Sequence, residues 1–196
     1  MLVFIDRQHA GKPAKVDDRG AGVDINQDGQ ISSDEQEAHW TGYLSLMLEK
    51  RLLDLGHQVI PISDGSYTER HIRVNDYSGR FDDTKMVYLA MHLNAGGGDY
   101  GAFFHHHIST QGKELAAALA SNLGRVITVK KQKVIAAKPD DWTKNAWHTI
   151  KNVGKPIAIC CEPIFMDTHT DLLTPFGMSQ IAIGMAQGLD SWSKSR

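Results

Sequence analysis

Disulfides, membrane spans and one-sided charge are all missing from this sequence, and each absence removes a class of function. Only two cysteines occur, Cys160 and Cys161, and they are adjacent. No disulfide framework can be built from them, which fits synthesis in a reducing cytoplasm. The formal net charge is −2, so there is no general electrostatic pull toward nucleic acid. No apolar run reaches the roughly 18 residues that a membrane-spanning helix needs. Internal repeats, low-complexity segments and linkers are also absent. The N-terminal MLVFIDRQH lacks a basic stretch followed by a long apolar one, and it reads as a first strand, not as a signal peptide. What is present is ordinary globular usage, 41% hydrophobic and 22% charged over 196 residues, enough for one domain with a sizeable core. Ten histidines are present, a high number that directs attention to metal.

Hydrophobic periodicity gives the order of elements. LVFID (2–6) is a short run of strand formers. Trp40, Leu44, Met47, Leu48, Leu52 and Leu55 recur at helical spacing, with Gly56 as the stop. HQVIPI (57–62), MVYLAMHL (86–93), AFFHHHI (102–108) and PIAICCE (156–162) read as strands. Helices are expected around Glu69 to Tyr77, over 109–123 behind a serine or threonine cap, near Trp142 to Ile150, and over 176–192. The rest of 124–155 has no clear pattern. Strands alternating with helices predict an α/β fold, a single domain whose twisted, mostly parallel sheet is flanked by helices.

DINQDGQISSDE (24–35) matches a calcium loop of the EF-hand type at every position. Such a loop needs oxygen ligands at positions 1, 3, 5, 7, 9 and 12, with glycine at 6 for the sharp turn. Asp24, Asn26 and Asp28 fill the first three, and Gln30 offers its carbonyl at the seventh. Ser32 acts through water at the ninth, Glu35 closes the loop as a bidentate ligand, and Gly29 is the turn glycine. The bland reading is a polar turn. KVDDRGAGV, just before the loop, does not look helical, so the incoming helix of an EF-hand is not expected, and no second loop exists to make a sensor.

His9 follows the first strand, His92 ends the third, and Glu162 ends PIAICCE. Ligands of open α/β sheets gather beyond the carboxyl ends of strands. Glu37, two residues into the helix after the calcium loop, can join them. Two histidines and a carboxylate are a known catalytic zinc set that leaves a position for water, and a fourth acidic group nearby can serve as general base. Each residue alone is more often a satisfied polar group than a ligand, so the argument rests on the combination.

The ordered set resembles the zinc-dependent N-acetylmuramoyl-L-alanine amidases, and the resemblance covers nearly the whole chain. QHAG stands where that family has a GHGG-like motif, Glu37 precedes LLDLGHQV as the family's zinc-ligand glutamate precedes its L…G..V pattern, and AMHLNA matches S-I-H-A-N. PIAICCEPIFMD matches the strand that ends in the catalytic glutamate. The sequence departs from the pattern at Gln8, which replaces a glycine, and at Leu93, which replaces a small residue. The gap between His9 and Glu37 is also longer, and the calcium loop falls within it as an insertion. The resemblance implies zinc held by His9, Glu37 and His92, and Glu162 as general base; Asn94 is separately a candidate substrate-binding residue, with a turn-forming asparagine the equal alternative. It implies cleavage of the amide between N-acetylmuramic acid and L-alanine by catalytic zinc, with peptidoglycan as partner; a monomer is expected, and the residues of loop 24–35 themselves add structural calcium. A compact amidase of this kind without export information is similar to a phage endolysin, made in the host cytoplasm and acting on the cell wall. The alternatives are a zinc amidohydrolase of another N-acyl or peptide substrate and a non-enzymatic calcium-binding module.

Helix geometry places Glu35 and Glu37 about 200° apart if both are helical. Glu35 can then face calcium while Glu37 faces zinc. His105 and His107 share one strand face and are expected to be exposed. Cys160 and Cys161 invite a nucleophile reading, but cysteines in an apolar strand usually pack as small hydrophobes. Trp40, Trp142 and Trp147 are candidates for stacking on sugars, with core packing favoured for Trp40.

Overall fold

The computed structural model describes residues 1–9, 19–81 and 85–195. Six strands form one sheet in the order β2-β1-β3-β6-β4-β5. They are β1 (Leu2–Arg7), β2 (Gln58–Ile62), β3 (Met86–Met91), β4 (Gly101–His106), β5 (Gln132–Ala137) and β6 (Ile157–Glu162). All pairings are parallel except β4 with β6, which is antiparallel. The α/β expectation holds, with this one reversal. It arises because residues 92–100 are too short a connection for the helical crossover that a parallel return requires.

Among the described residues, five helices cover the two faces. α1 (Glu37–Asp54), α3 (Thr110–Leu123) and α5 (Pro175–Lys194) contribute Leu44, Leu48, Leu115, Leu119, Ile181 and Met185 to one core, against Val3, Ile5, Leu89 and Phe103. α2 (Tyr67–Ser78) and α4 (Lys144–Ile150) contribute Val74, Ala146 and Ile150 to the other, against Leu2, Phe4, Tyr88 and Phe104. Alternate residues of one strand thus enter opposite cores, so β1 and β3 are buried on both faces and read as unbroken apolar runs. Burying each such Leu or Phe contributes roughly 1.5–3 kcal/mol.

Helix ends follow from local chemistry. Ser66 and Glu69 form a capping box on α2, Ser109 Oγ accepts from the Gly112 amide at 2.9 Å, and Thr174 Oγ1 accepts from Gly177 at 3.0 Å with Pro175 beginning α5. Gly56 ends α1 with φ +82°, a conformation glycine adopts without steric cost. Leu55, expected in the apolar stripe of α1, is 43% exposed because it sits past the helix end.

Two expectations need correction. β5 lies in the stretch that showed no pattern. It is an edge strand of mixed exposure, so its residues carry no clean alternation. His105 is buried, not exposed, because α3 packs over it: a Cβ on Gly112 would lie 3.2 Å from the His105 Cβ. His107 is exposed and stacks on His106. Trp142 is 71% exposed, whereas Trp40 is core as expected. KVDDRGAGV spans residues 15–23: residues 19–23 are non-helical, as expected, and 15–18 lie outside the described residues.

Candidate metal centre and active site

The chain leaves β1 for β2 on one side and β3 on the other, so the sheet order reverses between β1 and β3. At such a reversal the adjoining loops part and leave a crevice beyond the strand ends. Here it is a cavity of about 420 Å³, lined among others by His9, Glu37, His92, Asn94 and Glu162. Strand register accounts for the placement. Met91 pairs with Cys161, and the His92 amide donates to the Cys161 carbonyl at 2.9 Å, so the next residues, His92 and Glu162, leave their strands side by side. β4 ends at the opposite end of the sheet from Glu162, which removes His105–His107 from this centre.

His9 lies just past β1 in a left-handed conformation, φ +62°, strained for a non-glycine residue. A buried polar network holds the strand end beneath it. Arg70, fully buried, donates from Nη1 to Asp6 Oδ1 at 2.5 Å and to the Arg7 carbonyl at 2.8 Å. Asp6 also accepts from the Tyr88 hydroxyl and from Gln8 Nε2. Gln8, standing where the amidase pattern has glycine, is absorbed by this network.

Three atoms converge. His9 Nε2 is 3.1 Å from His92 Nδ1 and 3.2 Å from Glu37 Oε1, and His92 Nδ1 is 3.0 Å from Glu37 Oε1. Zinc bonds of about 2.0–2.1 Å in a tetrahedron put neighbouring ligand atoms about 3.3 Å apart. The trio therefore has the size and donor chemistry of a zinc site with one face open to the cavity. Glu37 is the first residue of α1, not two residues in. Glu35 ends a separate 3₁₀ turn (Ser33–Glu35), and Gln36 between them is extended, so the two carboxylates still point apart. Burial opposes the charge on Glu37, but hydrogen bonding and positive charge from His9 and His92 outweigh it and hold the carboxyl well below the usual range.

Glu162 is treated in the opposite way. Burial first, then repulsion from Glu37, push its carboxyl up to about 7, against the opposing charge of His92 and a hydrogen bond from Asn94. That bond runs from Asn94 Nδ2 to Glu162 Oε2 at 2.5 Å. Asn94 is itself fixed by backbone bonds to Ile164 and Met166, so it orients the carboxylate while lining the cavity. Cys160 and Cys161 are buried, and burial raises both thiols well above their ordinary value, which removes them as nucleophiles.

The cavity is also lined by Tyr67, Asn145, His148 and Thr149, residues that sequence reasoning did not single out. Asn145, His148 and Thr149 are spaced to share one face of α4, while Ala146 and Ile150 face the core. That amphipathic spacing was the available signal.

The loop 24–35 folds in on itself. Asp24 accepts from the amides of Asp28 and Gly29 at 3.1 and 2.9 Å, and Asn26 Oδ1 accepts from Asp28 at 2.9 Å. Asp28 Oδ1 accepts from Gln30 at 2.8 Å. Glu35 accepts from Ile25 and Asn26 with one oxygen and from Ser32 with the other. Those bonds, from Ser32 foremost, lower its carboxyl to about 2. Gly29 has φ +83°, as the turn position demands.

No family model and no curated protein matches the sequence. Solved structures do. An N-acetylmuramoyl-L-alanine amidase from Clostridium difficile 630 superposes with TM-score 0.75 at 21% identity, covering 100% of this chain and 97% of its own. An N-acetylmuramoyl-L-alanine amidase of Nostoc punctiforme gives 0.70 at 18% identity, covering 99% and 97%. The catalytic domain of an endolysin targeting Clostridia difficile gives 0.63 at 21% identity, covering 96% of each chain. The fold of this chain, a single α/β domain with a six-stranded, mostly parallel sheet, is that of these N-acetylmuramoyl-L-alanine amidases.

Proposed function

We infer that this chain is a peptidoglycan hydrolase that cleaves the amide between N-acetylmuramic acid and L-alanine, with zinc held by His9 Nε2, Glu37 Oε1 and His92 Nδ1. The observation that carries the reading is the mutual spacing of these three atoms, 3.0–3.2 Å, opposite a carboxylate poised near neutrality in a fold shared with amidases. A zinc ion there supplies a Lewis acid that polarises the amide carbonyl and makes water acidic enough to attack. Glu162 takes the proton of the attacking water and returns it to the departing nitrogen of L-alanine. Asn94 occupies Oε2, which leaves Oε1 for that transfer. Contact of Asn94 with substrate remains part of the proposal, since its side chain also borders the cavity.

The loop 24–35 is proposed as a structural calcium site with Asp24, Asn26, Asp28, the Gln30 carbonyl and Glu35 as ligands. Its support is the unbroken match of oxygen donors and turn glycine to the pattern that a hard cation requires. Isothermal titration of the metal-free protein with calcium tests it, and heat absent from wild type, or unchanged in Asp28→Ala, would reject it. Among the described residues no helix is long and apolar enough to cross a membrane. A monomeric lysis enzyme of phage, made in the host cytoplasm and acting on the wall, is the proposed setting. Light scattering, and lysis of cells only when the protein reaches the wall side, would test it.

The experiment for the central reading is digestion of purified peptidoglycan followed by analysis of new ends. Free N-terminal alanine together with intact lactyl groups on the glycan is the expected result. New reducing ends, or new termini elsewhere in the stem peptide, would assign a different bond.

A further inference from the structure

We propose that the short arm Arg19–Val23 is a positioning element for the zinc ligand Glu37, and that Gly20 and the Ala21 amide are its working parts. This rests on the zinc reading above and adds what holds the carboxylate in place.

The N-terminus of α1 carries no side-chain cap of its own. A helix leaves its first amides without partners inside the helix, and Gln36, the residue before α1, makes no side-chain cap. The arm supplies the partners instead. Glu37 N donates to the Ala21 carbonyl at 2.7 Å, and Ala38 N donates to the Arg19 carbonyl at 2.9 Å. Val23 N donates to the Glu35 carbonyl at 3.0 Å, and Gly22 bridges Gln36 in antiparallel fashion. The arm is therefore stitched along the entry to the helix that begins with Glu37.

The arm also grips the side chain. Glu37 Oε1 faces the two imidazole nitrogens and accepts from the Leu93 amide at 3.0 Å. Oε2 turns the other way and accepts from the Ala21 amide at 3.1 Å. With each oxygen tied to a backbone amide on a different segment, the carboxylate presents a single oxygen to the metal position. Groups that orient a ligand in this way commonly set metal affinity.

Gly20 allows the approach. It has φ +78°, and a Cβ built there would lie 2.3 Å from Glu37 Oε2, 2.7 Å from its Cβ and 2.9 Å from Cδ. The clash reaches Glu37 Cβ, which no side-chain rotation moves, so turning the carboxylate cannot relieve it. Gly56 offers a matched control: its φ is +82° and nothing lies within 4 Å of an added Cβ. Alanine at either position carries the same left-handed backbone penalty, but only at Gly20 does it press on Glu37.

The test is zinc affinity by chelator competition on the full chain, with wild type, Gly20→Ala and Gly56→Ala compared well below their unfolding temperatures. Gly20→Ala is expected to weaken zinc binding by about 10–100-fold, while Gly56→Ala leaves it unchanged. Equal affinities for the two variants would overturn the proposal. Wild type without zinc affinity would overturn the zinc reading itself, a distinguishable failure. If Gly20→Ala does not fold, hydrogen exchange in zinc-loaded wild type decides. The Ala21 amide should be protected and should lose that protection in Glu37→Ala, whereas exchange at the unprotected rate in wild type would refute the arm's role.

Discussion

The loop 24–35 and the strand ends at the cavity both gather carboxylates, and they treat them in opposite ways. Glu35 is buried, but its oxygens accept from backbone amides of its own loop, so its charge is welcomed and the carboxyl falls to about 2. Glu162 accepts from one side-chain amide in a poorly solvated cavity beside Glu37, and its carboxyl rises to about 7. The same functional group is a fixed anion in one place and a carboxyl that titrates near neutrality in the other. Glu37, two residues from Glu35, is a third case. It is more deeply buried than Glu162 yet held anionic by two imidazoles, as the proposed metal ligand must be.

Removing the ligand side of the comparison should have the largest effect. His92→Ala is expected to lose bound zinc and all measurable amidase activity, as checked by metal analysis and peptide release. Glu162→Gln removes the proton carrier alone. It should keep zinc and lose about 10²–10⁴-fold in turnover, and turnover like wild type would remove Glu162 from the chemistry.

The contrast between the carboxylates can be sharpened by pH in metal-free protein. Between about 4.5 and 7 the folded state holds a proton on Glu162 that the unfolded chain has released. Stability from this group is therefore lost as pH rises through that window, by an amount of order 3 kcal/mol. Urea melts at pH 5 and pH 8 should show this fall in wild type but not in Glu162→Gln. Glu35 has the reverse sign. Its contribution is present above about pH 4.5 and is lost as pH falls toward 2, so Glu35→Gln should flatten the acid limb only. The smallest effect expected is calcium stabilisation: at about a hundredfold excess over its Kd, calcium should add about 2.7 kcal/mol, measured as a rise in unfolding midpoint that Asp28→Ala abolishes.

Much of this was legible in the sequence. β1, β3 and β6 are buried on both faces and announce themselves as apolar runs, and the chemistry-bearing residues sit at their ends. His9, His92 and Glu162 could be placed for that reason, and Glu37 by its position at the head of a periodic helix. What escaped depended on partners far along the chain. β5 is defined by pairing with β4 and carries no periodicity of its own. The direction of β4 follows from how residues 92–100 turn. Asn94 was legible as a cavity residue, but its bond to Glu162 spans 68 positions. The arm 19–23 has almost no signal beyond its glycines, because it works through backbone atoms.

The most direct test of the central claim is a zinc titration of chelator-stripped protein, following free N-terminal alanine released from peptidoglycan. The account predicts no release before zinc, then activity that rises to a plateau at one equivalent and is absent from His92→Ala at every zinc concentration. Release that survives stripping, or that zinc restores equally in His92→Ala, would contradict it.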